Sequence, residues 1–585
     1  MQICFEYSPL KQTDAAAING QKFGLIVHRR DASGPTYPHV WEQTDPKTYA
    51  FFAGRIAGVT NRDGFPTGHA VTRRDAADWK MEPEPDGSWL AVKFDGVRDI
   101  VSFAADFCLL QRWYYTQHGA AWFVANSLRY LKELLGSSLR VNASAVPYML
   151  IRGYLPQDQT PLADVRVLQS CRVLTIENGA GRVDRRLDPV YYYHESRMID
   201  LPQAAREIHR VLRDAVAAEV AGLDEVCIPL SGGIDSRFLL GCAMELLPKE
   251  KITTITFGLP NSLDYKIGSG LAKQLGVRSI HLPFDKRPIA ELLRDSFQTV
   301  EGAYWCVPTH PILGLREAFQ AFPFILSGYI GDLVFGSYDL PPEQAAKLEQ
   351  SDQDYLKQIH EIMDTVDLDE ALALLAEQAA DPLRTDQIYA GYQANSRENA
   401  YAMWLWEDHL FNRTNFAVEL HRDLTFYGAP FVHQQVITMA YRLPKALRLE
   451  QKAYLEALRF AYPELWKYPT KNNYGFSPQN NNVLRSHAAR TFRRCMADID
   501  NLLGALTGKI YYYHPRDNYE HPRELLQERH RAEVLAVLKR LSERDTFRSA
   551  GMADLIDRYE RRKPISKYVL YGLLTIDLWY EQYEG

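Results

Sequence analysis

Two architectures in series are what this sequence predicts: an α+β, strand-rich first part, then an α/β part with a parallel sheet and a helical C-terminal region. Three observations carry that expectation. Up to about residue 195, short apolar or alternating segments recur between Gly, Asp, Pro and Asn, which is how strands read. From Val226 onward, strand-like and helix-like segments alternate, as in a parallel sheet with helices on both faces. Finally, 585 residues are too many for one hydrophobic core.

In the first part the strand candidates are Phe23–His28, Trp89–Lys93, Ile100–Phe103 and Ala121–Ala125, with helical stretches at Asn126–Leu135 and Ala143–Ile151. The polar run Tyr193–Asp200 reads as a linker. Leu201-Pro202 then opens an amphipathic helix to about Val220, with Ala205, Ile208, Val211, Leu212 and Val216 on one stripe. The alternating region follows: strand Val226–Leu230, a helical pattern opened by Phe238, strand Ile252–Phe257, a helix over Tyr265–Leu275, and strand Ser279–Leu282. Residues 342–425 read as mostly helical, and the charged run Glu343–Asp354 as a solvated helix face.

Composition narrows the function classes. Hydrophobic residues make up 46% and charged residues 24%, an ordinary globular balance. A formal net charge of −6 gives no general attraction to nucleic acid or anionic membrane. The apolar stretch Val569–Tyr580 is too short to span a bilayer and is broken by Asp577. Glu6, Lys11 and Asp14 interrupt any signal-peptide pattern, and seven scattered cysteines without a C-x-x-C pair form neither a disulfide scaffold nor a zinc site. A cytoplasmic protein is expected.

The chemistry concentrates in Leu230-Ser231-Gly232-Gly233-Ile234-Asp235-Ser236, a turn between a strand and a helix. Glycines let the backbone approach a phosphate closely, and the helix start supplies N–H donors at a positive dipole end. Asp235 adds a carboxylate where a phosphate-bridging Mg²⁺ can sit. The structural alternative is a plain Gly-Gly turn. Three later segments fall where a phosphate-binding α/β unit needs them. Backbone near Thr256 and Phe257, at a strand end, can hold adenine. Phe324–Leu326 leads into Ser327-Gly328-Tyr329-Ile330-Gly331-Asp332, a second glycine loop with a second carboxylate. Asp235 and Asp332 are thus placed to hold Mg²⁺ on a pyrophosphate from two sides. Lys471 lies in the turn-rich run Pro469–Pro478.

The Ser-Gly-Gly-x-Asp-Ser form resembles the ATP pyrophosphatase superfamily, and the chain as a whole is similar to the asparagine synthetase family in its broad sense. Phe257–Asp264 follows that family's adenine-strand pattern, Ser327–Asp332 its second loop, Pro430-Phe431 its Pro-Phe segment and Lys471 its late lysine. Trp113–Tyr115, Phe123–Ser127 and Gly153–Pro156 resemble the end of its amidotransferase domain and the segment after it. The resemblance implies an Ntn-hydrolase-like amidotransferase domain over residues 1–196 and an ATP-pyrophosphatase synthetase domain over 197–585. It implies ATP as substrate, bound by Leu230, Ser231, Gly232, Gly233, Asp235, Ser236, Phe257, Ser327 and Gly328, with Mg²⁺ on Asp235 and Asp332.

Two departures point to a branch. Glutaminase activity in that family needs a cysteine as first residue after the initiator Met; here Gln2 stands there and the nearest thiol is Cys4. A thiol inside a strand has no α-amino group beside it to act as base, so Cys4 is expected in the core and the glutaminase inactive. Tyr329 stands where asparagine synthetases carry Glu, as in β-lactam synthetase, which closes an adenylated carboxylate with an amine of the same molecule. The resemblance therefore implies intramolecular amide formation, first as in lasso-peptide macrolactam cyclases and second as in β-lactam synthetase. Its substrate would be a peptide or small-molecule carboxylate, and in the peptide case a precursor-processing peptidase would be a partner. The rivals are an amidotransferase using free or supplied ammonia and a silent scaffold; the intact loop, Asp332 and Lys471 argue against the scaffold. Lys471 would face the tetrahedral oxyanion, and Tyr329 would take the proton of the attacking amine with a carboxylate partner among Glu398, Glu407 and Glu419.

Overall fold

The computed structural model describes residues 2–7, 23–28, 39–45, 48–56, 86–95, 97–108, 110–186, 199–282, 287–306, 321–322, 324–380, 392, 394–416, 425–473, 475–480, 483–507, 523–563 and 565–584, with backbone alone before residue 57. The linker expected at Tyr193–Asp200 lies mostly outside them.

Strand pairing changes character once along the chain. Among the described residues up to Arg185 the strands pair antiparallel, in two sheets. One has the order Phe23–His28, Gln2–Tyr7, Ala121–Ala125, Tyr114–His118, Arg166–Val167. The other runs Ala180–Arg185, Arg172–Glu177, Ile100–Ala105, Gly87–Asp95, Thr48–Ile56, His39–Asp45. Buried side chains of both, such as Leu90, Val92 and Phe103 from one and Phe123 and Val124 from the other, join one apolar cluster. Cys4 sits in mid-strand with Ile26 on one side and Ala125 on the other. The surroundings of its thiol are outside the described side chains.

Among the described residues after 226, the strands of one sheet pair in parallel throughout. The order is Arg278–Leu282, Ile252–Phe257, Val226–Pro229, Phe324–Leu326, Phe426–Gly428. Both faces are buried, as the period of two requires: Val226, Ile228, Phe324 and Leu326 enter the main core, whereas Cys227, Ile255 and Ile325 form a smaller cluster on the other face. The helices Asp235–Leu246 and Leu263–Leu275 connect the first three strands in chain order. The chain then returns to place Phe324–Leu326 on the opposite side of Val226–Pro229, so strand order reverses between these two. In an open α/β sheet that reversal opens a crevice at the C-terminal strand ends.

Helix Leu201–Val220 forms over the expected range, capped by the Asp200 carboxylate, and its predicted apolar stripe is buried. The helix after the first glycine loop starts at Asp235, three residues before Phe238. A polar first turn is invisible to an apolar-periodicity reading. The first and second parts are joined by buried polar contacts. Glu301, in the left-handed region at φ 51, accepts hydrogen bonds from the Ser127 hydroxyl (2.5 Å) and the Leu128 N–H (2.9 Å), and so caps helix Leu128–Leu135. No helix among the described residues is long and apolar enough to cross a membrane.

Candidate active site

The two glycine loops follow the two strands between which the order reverses, Val226–Pro229 and Phe324–Leu326. The first loop is closed on itself. Ser236 Oγ accepts the Ser231 N–H at 3.1 Å and lies 3.2 Å from Ser231 Oγ, which in turn accepts the Gly233 N–H at 3.1 Å. Leu230 anchors its start, with its N–H on Ile255 O (2.8 Å) and its carbonyl accepting the Thr256 hydroxyl at 3.1 Å. The loop is thereby fixed before any ligand arrives. Phe257, half-buried, ends the neighbouring strand.

The second loop lies directly against the first, and its glycines are the reason it can. A Cβ at Gly328 would stand 2.9 Å from Ser236 N and 3.1 Å from Asp235 Cβ; one at Gly331 would stand 2.8 Å from Asp235 Oδ1. Between them Ile330 is left-handed at φ 54, an expensive conformation for a β-branched residue and one that clusters at functional sites. Ser327, buried, accepts a hydrogen bond from Tyr427 OH. Tyr329 is buried, at 6% exposure. The result brings Asp235, half-buried, beside Asp332, which keeps solvent access. Burial raises the Asp235 carboxyl well above the usual carboxylate range, and the Asp332 charge adds to the rise; burial raises Asp332 too. Among the described residues no group of three or more His, Cys, Asp and Glu side chains is arranged to hold a metal. A pair of carboxylates beside a glycine-rich loop at a helix start nevertheless suits Mg²⁺, which takes one or two carboxylates with phosphate and water oxygens.

Lys471 arrives from far along the chain and is pinned here. Its N–H donates to Gly232 O at 2.8 Å, and its ammonium pairs with Asp264 at 2.5 Å. The buried Asp264 also accepts the Gly232 N–H at 2.8 Å, so one carboxylate ties the lysine to the first glycine loop. Arg237 sets the approach of that segment: fully buried, its guanidinium donates to the carbonyls of Leu465 (2.9 Å), Tyr468 (3.0 Å) and Pro469 (2.6 Å). Burial lowers its pKa to about 10.

Of the carboxylates expected as candidates beside Tyr329, two are committed to cations. Glu398 pairs with Lys445, and Glu407 pairs with Arg185 at 2.7 Å and Arg172 at 3.2 Å of the antiparallel sheet. Glu419 lies outside the described residues. Sequence reasoning missed the working positions of Asp264, Arg237 and Tyr454, whose hydroxyl donates to Asp235 Oδ1 at 2.8 Å. Asp264 carried a signal, lying in the first turn of a helix capped by Ser262; Tyr454 carried none beyond membership of an amphipathic helix.

Comparison with known proteins agrees with this geometry. Residues 207–581 match the family model described as asparagine synthase. Over 269 residues the chain is 24% identical to "Putative asparagine synthetase (glutamine-hydrolyzing) 2" of Methanocaldococcus jannaschii, covering 44% of this chain and 50% of that protein. Over 270 residues it is 23% identical to "Probable asparagine synthetase (glutamine-hydrolyzing)" of Acanthamoeba polyphaga mimivirus, covering 43% of this chain and 44% of that protein. The chain thus spans about half the length of these curated relatives. A solved glutamine phosphoribosylpyrophosphate amidotransferase from B. subtilis aligns over 57% of this chain and 71% of its own at 9% identity, with a TM-score of 0.20, too loose a superposition to argue from.

Proposed function

The chain belongs to the asparagine synthase family, and from that premise we propose that it is an ATP-dependent amide-bond synthetase that closes a carboxylate with an amine of the same molecule, as a macrolactam in a short peptide. The observation that carries the ATP chemistry is the pairing of two preformed glycine loops, each followed by an aspartate, at the strand-order reversal. The first-turn N–H groups of helix Asp235–Leu246, reached past glycines that let the backbone come close, suit a pyrophosphate, and the strand end at Phe257 lies where ligands bind in such sheets.

The reaction divides into two displacements. A substrate carboxylate oxygen bonds to the α-phosphorus as the bond to pyrophosphate breaks, giving an acyl-adenylate. Leu230, Ser231, Gly232, Gly233, Ser236, Ser327 and Gly328 hold the phosphates in line. Asp235 and Asp332 would hold Mg²⁺, which when bound offsets the charge gathering on the pyrophosphate. The amine nitrogen then attacks the acyl carbon, AMP leaves, and the nitrogen gives up a proton. Lys471, beside the loop, offsets the oxyanion of that step. Tyr329 is proposed to relay that proton, its hydroxyl accepting it from the nitrogen while passing its own proton on to a carboxylate partner. A precursor-processing peptidase is the partner this reading asks for, since it would free the attacking α-amine.

Both relatives are named as glutamine-hydrolysing asparagine synthetases, which favours a second reading, amidation of a small carboxylate with ammonia supplied free or from glutamine. One experiment separates them. Exchange of labelled pyrophosphate into ATP is measured with Asp- or Glu-bearing peptides that have a free N-terminus, and separately with aspartate plus ammonium. Exchange and cyclised product only with peptides supports the macrolactam reading. Asparagine formation replaces it with the second, and no exchange with any carboxylate removes the synthetase reading.

A further inference from the structure

Asp235 has a neighbour that no phosphate or metal chemistry requires. Tyr454, 1% exposed on helix Lys452–Ala461, donates its hydroxyl to Asp235 Oδ1 at 2.8 Å. Two rings stack nearly parallel to it. Phe238, from the helix that follows the first glycine loop, stacks at 5.5 Å and 7°. Phe335, at the end of the short helix that follows the second loop, stacks at 4.7 Å and 4°. Phe431 closes the edge at 6.1 Å and 83°. One aromatic side chain therefore joins the two elements that carry the aspartates, with its hydroxyl on Asp235.

The same helix makes a second connection. Gln451, just before Lys452, donates its amide to the Asp332 carbonyl at 3.0 Å. Glu450 and Gln451 both adopt left-handed backbone, at φ 53 and 60, a costly pair for non-glycine residues. That sharp turn aims Gln451 at one aspartate while the next helical turn brings Tyr454 to the other.

We propose that Tyr454 is the positioning residue of the metal-binding carboxylate pair: its hydroxyl fixes the Asp235 rotamer toward Asp332, and its stacked ring sets the spacing of the two loops. The inference rests on the reading of Asp235 and Asp332 as the Mg²⁺ site. Groups that orient a metal-binding carboxylate typically alter metal affinity 10- to 100-fold when removed.

The test uses the full chain and Mn²⁺, detected by its paramagnetic resonance, with a non-hydrolysable α,β-methylene ATP analogue. Tyr454→Phe keeps the ring and deletes the hydroxyl. It should weaken Mn²⁺ binding about tenfold, with metal-free analogue binding and thermal midpoint near parental. Tyr454→Leu, which also breaks the stacks, should lose metal binding and lower the midpoint. Asp332→Asn serves as control for the site itself. If Asp332→Asn loses Mn²⁺ while Tyr454→Phe binds within twofold of the parent, the positioning role is wrong and the metal site stands. A lowered thermal midpoint for Tyr454→Phe with unchanged Mn²⁺ affinity would make the hydroxyl structural and also overturn the proposal. If Asp332→Asn binds Mn²⁺ normally, the underlying metal-site reading falls.

Discussion

Asp235 illustrates how a carboxylate placed against a second carboxylate can work against the stability of its own fold. Burial pushes its pKa up to about 8, with the Asp332 charge adding to the effect. A carboxyl with a folded value above its unfolded value keeps its proton more tightly in the folded chain. Its favourable contribution is complete below the ordinary value near 4, and is lost as pH rises from there through about 8. Asp235→Asn removes the titration. The ligand-free variant should therefore unfold at higher urea than the parent at pH 8, and the two midpoints should converge near pH ~4. Pyrophosphate exchange in the same variant should fall by several orders of magnitude. Equal pH dependence of the midpoints in parent and variant would show that this carboxyl is not strained by its surroundings. Both aspartates were legible in the sequence, because glycines at strand ends mark where a backbone must come close to something. Tyr454 and Gln451 were not. A tyrosine in an amphipathic helix is ordinary until the fold brings it to Asp235, 219 residues away.

At the scale of elements, the hairpin carrying Lys471 is held from outside itself. Thr470 pairs with Phe476, and Gly475 turns the chain at φ 84. Yet the segment before it is hung on Arg237, with three carbonyls on one buried guanidinium. Lys471→Met keeps the length and deletes the charge, so it should still exchange pyrophosphate but form little or no amide. Near-parental product yield would reduce Lys471 to a loop cation. Arg237→Lys should produce a weaker copy of the same defect, because an ammonium cannot span three carbonyls held by a planar fork. The carbonyls left unpaired should also cost about 1–3 kcal/mol each, read as a drop in the denaturation midpoint. A parental ratio of amide formation to exchange in Arg237→Lys would show that the arginine does not position the lysine. The alternation of strands and helices was readable because a sheet buried on both faces needs short apolar runs such as Val226–Pro229 and Phe324–Leu326. What could not be read was which loops would meet. Strand order is set by long-range pairing, and Phe324 lies almost a hundred residues beyond its neighbour strand.

The whole molecule is fastened by charges buried between its antiparallel and parallel parts. Glu407 lies in the π-helix Leu405–Thr414, 2% exposed, and binds Arg185 and Arg172 across 222 and 235 residues of chain. Nearby, Asp408 accepts the Gln157 N–H at 2.9 Å, and Arg112 donates to Phe411 O at 2.5 Å. A π-helix is costly to form and recurs where a segment must present side chains at unusual angles; here consecutive residues bond to the antiparallel part. Such buried ion pairs are asymmetric in their energetics. Removing one partner strands the others, whereas removing all partners together also removes the desolvation they suffer. Glu407→Gln should accordingly destabilise the chain by about 3 kcal/mol or more. The combined replacement Arg172→Met, Arg185→Met, Glu407→Met should lie much closer to the parent than Glu407→Gln alone. Urea denaturation of the three proteins measures both quantities. If these charges join the two parts into one cooperative unit, the parent unfolds in a single transition, and Glu407→Gln shifts or splits it. A triple variant less stable than the single one would mean the ion pairs contribute net stability of their own, against the desolvation argument.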